Sequence, residues 1–169
     1  MEGGRRVLVV FATGSGCTES VAGWVAEEAA ARGLEPTLRD AKSDPSPEGF
    51  DGVAVGSGLR AGKWHGAAEQ WLKRHAERLH EVPCAVFSVG MRAVAGDASE
   101  GEATARQAAE RAGIEPAATA SLPGWFFPKR FSLPERLILK AMKTPEGDFR
   151  DEAVVRAWAA QALDAMGLS

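Results

Sequence analysis

Tyrosine is absent from this chain of 169 residues, and cysteine occurs only at Cys17 and Cys84. Two cysteines cannot build a disulfide framework, and neither C-x-x-C nor H-E-x-x-H occurs, which argues against a protein-built zinc site. No apolar run approaches the roughly 20 residues that span a bilayer. The opening MEGGRR lacks the apolar core of a secretion signal, so a cytoplasmic location is expected. A charge excess is lacking too: 20 Lys and Arg stand against 23 Asp and Glu, and a net charge of −3 gives no global basic field to recruit nucleic acid. Internal repeats and low-complexity linkers are missing. What remains has ordinary globular composition and enough length for one domain, residues 1–169, with its own core.

Short apolar runs alternate with helical periods. RVLVVF (6–11) is continuously apolar, as in a strand covered on both faces. From Thr18 a helical stripe of Val21, Trp24, Val25 and Ala29 runs to Gly33. Further strands are expected at 35–41, 50–57, 84–89 and 116–122. Further helices are expected at 65–80, 100–112 and 151–166, the last burying Val154, Val155 and Trp158. About five alternations of strand and helix imply an α/β fold, a doubly wound parallel sheet with helices on both faces, because parallel connections need crossovers. The segment 123–149 exceeds this minimal pattern and reads as an insertion before the last helix. Within it, Leu133–Lys143 reads as an extra helix, with Ser132 as cap and Pro134 in the first turn.

The first strand runs straight into ATGSGCT (12–18), where six of seven residues are Gly, Ser, Thr or Cys. In such sheets ligands sit beyond the carboxyl ends of the strands. A helix start there offers N–H donors and positive dipole charge. Gly14 and Gly16 let the backbone close around an anion, while Thr13, Ser15 and Thr18 supply hydroxyls. The loop has no Lys or Arg, so it reads as a phosphate site built from hydrogen bonds and dipole. Other phosphate patterns fail: there is no Walker motif, and Glu19 stands where a dinucleotide fingerprint needs glycine. Gly56, Gly58 and Gly62 are spaced one residue too long for that fingerprint. A cysteine phosphatase needs Arg six residues after its Cys; Gly23 and Gly90 stand there instead. The first and third strands end in Phe11 and Ser57, not in the acids of a response regulator.

VLVVFATGSGCTESVA resembles the FMN-phosphate loop of flavodoxins. The resemblance implies that Thr13, Gly14, Ser15, Gly16, Cys17 and Thr18 hold the phosphate of FMN, with Cys17 where Asn is common. A narrower likeness follows in VAVGSGLRAGKWHGAAEQWLKRHAERLHEVPCAVFSV. It resembles the flavodoxin-fold protoporphyrinogen oxidases that pass electrons to menaquinone, through Arg60, Gly62, Trp64, His65, Arg74-His75 and Pro83. That family's tyrosines are missing here, and Ala61 stands where an aromatic is common.

The resemblance implies an FMN-dependent oxidoreductase acting on a porphyrinogen-like substrate with a quinone as acceptor. The alternatives are a flavodoxin-type electron carrier and an NAD(P)H-dependent quinone or flavin reductase. Ser57, Gly58, Leu59 and Arg60 are expected along one flavin edge, and Ser88, Val89, Gly90, Met91 and Arg92 along the other. Trp64 is expected to stack on the flavin ring. Arg60, Lys63 and Arg92 are candidate cations for reduced flavin or a substrate carboxylate. His65 is the candidate proton donor or acceptor during hydride transfer, and His75 is expected to be structural. Between Trp125 and Lys143 the bases Lys129, Arg130, Arg136, Lys140 and Lys143 outweigh Glu135, a net charge of +4. Mixed with Trp125, Phe126, Phe127, Phe131, Leu137, Ile138 and Leu139, they suit anionic lipid headgroups or a flat carboxylate-bearing substrate. A peripheral membrane contact is therefore expected, and a homodimer is compatible with the resemblance.

Overall fold

A computed structural model describes residues 3–91, 93, 98–127, 132–141 and 146–168. The amino-terminal half runs β1 (Arg6–Ala12), α1 (Cys17–Ala31), β2 (Glu35–Asp40), β3 (Gly52–Arg60), β4 (Lys63–Trp64), α2 (Gly66–Arg74) and α3 (Ala76–Leu79). The remainder runs β5 (Cys84–Gly90), α4 (Ala98–Arg111), β6 (Ala118–Pro123), β7 (Trp125–Phe126), α5 (Leu133–Ala141), β8 (Gly147–Asp148) and α6 (Glu152–Ala165). Five strands form a parallel sheet in the order β2-β1-β3-β5-β6.

The apolar run of β1 has the physical meaning expected of it. Val7, Val9 and Phe11 point to one face and pack with Val21 and Val25 of α1 and Val155, Ala159 and Leu163 of α6. Leu8 and Val10 point to the other, with Trp71 and Leu72 of α2 and Ala105, Ala108 and Ala109 of α4. Alternate side chains thus reach opposite cores, and neither face tolerates a polar residue. In β3, Gly56 lies against the Phe87 ring of β5, and a Cβ there would overlap that ring.

Three expectations are corrected. The helix expected over 65–80 is broken: His75 has φ −107° and ψ 16° between α2 and α3. There its Nε2 lies 2.7 Å from Asp44 Oδ1, Arg74 Nη1 reaches the same oxygen at 3.0 Å, and the Trp71 ring packs beside it. His75 is structural, and it holds the α2–α3 bend to the loop after β2. Val154 faces solvent; Val155 faces the core, and Trp158 donates its indole N–H to the Thr119 carbonyl at 3.0 Å. Finally, residues 60–63 form a β-hairpin rather than a plain loop. Leu59 pairs with Trp64 and Arg60 with Lys63. The turn places Ala61 (φ 51°) and Gly62 (φ 75°) in the left-handed region, as a two-residue hairpin turn requires.

The insertion lies between β6 and α6. Its helix is α5, and β7 pairs antiparallel with β8 through Trp125 with Asp148 and Phe126 with Gly147. Arg92, Lys129, Arg130, Phe131 and Lys143, and the Leu139 side chain, lie outside the described residues.

Candidate functional site

The loop after β1 turns at Gly16, which is left-handed (φ 89°) and opens α1. The Gly16 N–H donates to Thr13 Oγ1 at 2.9 Å, which closes the loop on itself. No side chain caps α1, so the peptide dipoles of its first turn point into the space the loop encloses. Thr18 is buried in the first turn.

The end of β3 meets this loop edge on. A Cβ added at Gly58 would stand 3.0 Å from Thr18 Oγ1 and 3.4 Å from His65 Nε2. One added at Gly14 would stand 3.3 Å from His65 Cε1 and 4.0 Å from Arg60 Nη2. Glycine at both positions lets the β1 and β3 loops and the imidazole share one small volume. His65 therefore borders the 13–18 loop. Burial, then the charges of Arg60 and Lys42, push its pKa below the usual 6.5.

Several expected site residues prove to be framework. Ser57 and Ser88 are fully buried. Ser57 Oγ accepts the His65 backbone N–H and donates to the Gly58 carbonyl, both at 2.9 Å. Ser88 Oγ accepts the Trp64 indole N–H and donates to the Gly101 carbonyl, both at 2.8 Å. The Trp64 ring is 5% exposed and belongs to the core, so it offers no open face for stacking. Hairpin formation explains this: pairing with Leu59 turns the indole inward, beneath the site. The Cys17 side chain also points inward, towards Gly124 and the Trp125 backbone N–H. Burial pushes its thiol up to about 11, so Cys17 offers an anion only its main chain. Cys84 is likewise buried and pushed up to about 12. Val89 is buried, whereas Leu59, Gly90 and Met91 are half-buried at the ends of β3 and β5. Arg60 and Lys63 are exposed at the hairpin tip.

The insertion supplies contacts that sequence reasoning did not locate. The Trp125 indole N–H donates to Ser15 Oγ in the 13–18 loop at 3.1 Å. The Arg150 guanidinium stacks 4.5 Å from the centre of the Trp125 ring and donates to Ser20 Oγ at 2.8 Å. Asp148 holds that guanidinium at both oxygens, 2.8 and 2.6 Å away. The pair lowers the Asp148 pKa and raises that of Arg150. Across the site, Arg60 Nη2 pairs with Glu135 Oε1 of α5 at 2.9 Å. The spacing Asp148-x-Arg150 was a readable sign of a bidentate pair; nothing in the sequence linked Trp125 to Ser15 or Arg60 to Glu135.

A parallel sheet ordered β2-β1-β3-β5-β6, with a glycine-rich anion loop at the head of α1, defines the flavodoxin-like class of α/β proteins. The Flavodoxin domain family matches residues 8–152, and the chain belongs to that family. It is 27% identical over 160 residues to protoporphyrinogen IX dehydrogenase [quinone] of Escherichia coli strain K12, a match covering 90% of this chain and 88% of that one. Among solved structures it resembles a short-chain flavodoxin associated with a non-canonical PDU bacterial microcompartment, with TM-score 0.60 and 14% identity over 98% of this chain and 99% of that one. It also resembles oxidised flavodoxin 1 of Bacillus cereus, with TM-score 0.56 and 14% identity over 94% and 97% of the chains. At that identity the structural likenesses speak to the fold alone.

Proposed function

We propose that this chain is an FMN-dependent oxidoreductase that oxidises a porphyrinogen-class substrate and delivers the electrons to a quinone. The uncapped, glycine-turned head of α1 carries the cofactor assignment, because it leaves dipoles and N–H donors directed at an anion. The backbone of Thr13 to Thr18, with the Thr13, Ser15 and Thr18 hydroxyls, would hold the phosphate. The ends of β3 and β5, from Ser57 to Arg60 and from Ser88 to Met91, would bound the flavin ring, with Leu59 and Met91 as its apolar walls. Bound FMN supplies the capacity to accept two electrons and release them to an acceptor. Trp64 supports the β3 and β5 ends from below through Ser88. Arg60 and Lys63 place positive charge at the rim, suited to a substrate carboxylate.

The substrate class rests on the curated relative, whose likeness spans both chains almost end to end. The second reading is a flavodoxin-type electron carrier, a role open to any chain of the Flavodoxin domain family. The basic hairpin tip weighs against it, since a carrier docking through its flavin edge would favour acidic residues there. The insertion supports a peripheral contact with an anionic bilayer. Leu133, Leu137 and Ile138 of α5 stand about 60% exposed, with Lys140 on the same helix. No described helix is long and apolar enough to cross a membrane.

The test is anaerobic. Protein loaded with FMN should stay yellow through desalting, bleach on addition of protoporphyrinogen IX with the appearance of porphyrin fluorescence, and recover its colour with a menaquinone analogue. A yellow protein that porphyrinogen does not bleach overturns the substrate assignment in favour of the carrier. A colourless protein overturns the cofactor assignment.

A further inference from the structure

His65 occupies an unusual place for a residue with a free imidazole. Its main chain is fully engaged: its N–H donates to Ser57, and its carbonyl accepts from Ala68 at 3.1 Å and Glu69 at 3.3 Å as α2 begins. Its side chain takes no part in capping α2. The ring instead leans over the β1 loop, its Cε1–Nε2 edge against Gly14 and Gly58. Among the described residues, no protein group hydrogen-bonds either ring nitrogen. The charges whose fields reach the ring are those of Arg60 from β3 and Lys42 from the turn after β2. The uncapped head of α1 begins two residues beyond Gly14, and Glu135 of α5 pairs with Arg60. Burial, then the charges of Arg60 and Lys42, disfavour a proton on this ring, and a dianion in the loop would reverse that balance.

We propose that His65 is the phosphate-reading residue of the site: seating the cofactor's phosphate draws one proton from solvent onto the imidazole, and the resulting imidazolium helps hold the dianion at the head of α1. This rests on the reading of loop 13–18 as the FMN phosphate site. No bond to phosphorus is made or broken, and the proton comes from water or buffer. A neutral ring in the free site avoids trapping charge against Arg60 and Lys42. A charged ring in the loaded site adds a charge-assisted hydrogen bond that a flavin without phosphate cannot earn. Affinity for FMN should therefore weaken as pH rises through the loaded-state pKa of His65, about tenfold for each unit by which the phosphate raises that pKa.

Calorimetry measures this directly. FMN is titrated into apo-protein near pH 7.5, where a phosphate monoester with second pKa of about 6 is already a dianion. The titration is run in two phosphate-free buffers of different ionisation enthalpy. Wild type should take up protons with FMN and none with riboflavin. His65→Gln should take up none and bind FMN roughly tenfold more weakly, while keeping its riboflavin affinity, which also shows that the site is folded. His65→Lys, carrying a permanent charge, should bind FMN without proton uptake. Tight FMN binding with no uptake by wild type, or equal uptake by His65→Gln, overturns the role of His65 alone. Failure of wild type to bind FMN overturns the phosphate site together with it.

Discussion

Phe87 and Trp125 are aromatic residues near the same edge of the sheet, yet they belong to regions held together by different forces. Phe87 is completely buried between layers, against Gly56 and 5.3 Å from the Trp158 ring centre. The surrounding sheet coheres because each strand presents apolar side chains to both faces. Trp125 belongs to a segment anchored by a handful of directed polar contacts: its own N–H to Ser15, Arg150 to Asp148 and Ser20, and Arg60 to Glu135. That segment also leaves Leu133, Leu137 and Ile138 in solvent. Burial is non-directional and tolerates repacking, whereas hydrogen bonds fix where an element sits. The sheet therefore carries most of the stability, while the insertion adds the buried Phe126 and the half-buried Trp125 at its start and directed contacts beyond them.

The sharpest way to break this comparison is Phe87→Ala. It removes a fully buried ring and should cost about 3–5 kcal/mol in urea unfolding. A loss below about 1 kcal/mol would mean that the sheet is not the stabilising unit. Arg150→Ala comes next. It removes the bidentate pair, the Ser20 contact and the stacking on Trp125, and about 1–2 kcal/mol is expected because the group is partly solvated. Intrinsic tryptophan fluorescence should change in the same variant, reporting a loosened insertion over the 13–18 loop.

The third prediction uses pH. The folded pKa of His65 is depressed, so below about 6.5 the unfolded chain binds the proton more readily than the folded one. Stability of the cofactor-free protein should fall as pH drops from about 6.5 towards the folded pKa. His65→Gln should fall less over the same range, measured as the urea midpoint. The smallest effect belongs to the exposed face of α5. Leu137→Ser combined with Ile138→Ser should leave the unfolding free energy within about 0.5 kcal/mol. The same pair should weaken sedimentation with anionic vesicles, and unchanged sedimentation would count against membrane contact through α5.

Much of the scaffold was legible because it rests on local chemistry. The β1 run, the glycine loop, the strand at Cys84 and the extra helix in the insertion all stand close to their expected positions, since period and turn residues report neighbours along the chain. The site was harder to read. The internal partners of Ser57, Ser88 and Trp64 had no signature, because a serine that bonds a loop and one that bonds a ligand look the same in sequence. Trp64 turned inward because the unpromising pair Ala61-Gly62 adopts left-handed geometry and closes a hairpin, which reverses the side on which the indole emerges. The break at His75 depends on Asp44, which lies 31 residues earlier and has no local signature.

The order of apolar and polar residues by itself determined the alternation of strands and helices, the two covered faces of the sheet and the glycine-rich turn at the head of α1. Each follows from steric and solvation preferences acting over a few residues. Only the tertiary structure decided that His65 meets the 13–18 loop, that Trp125 reaches Ser15 and that Arg60 is shared with Glu135. Those pairings join residues far apart in the chain, and they exist only where packing of the sheet brings its loop ends together.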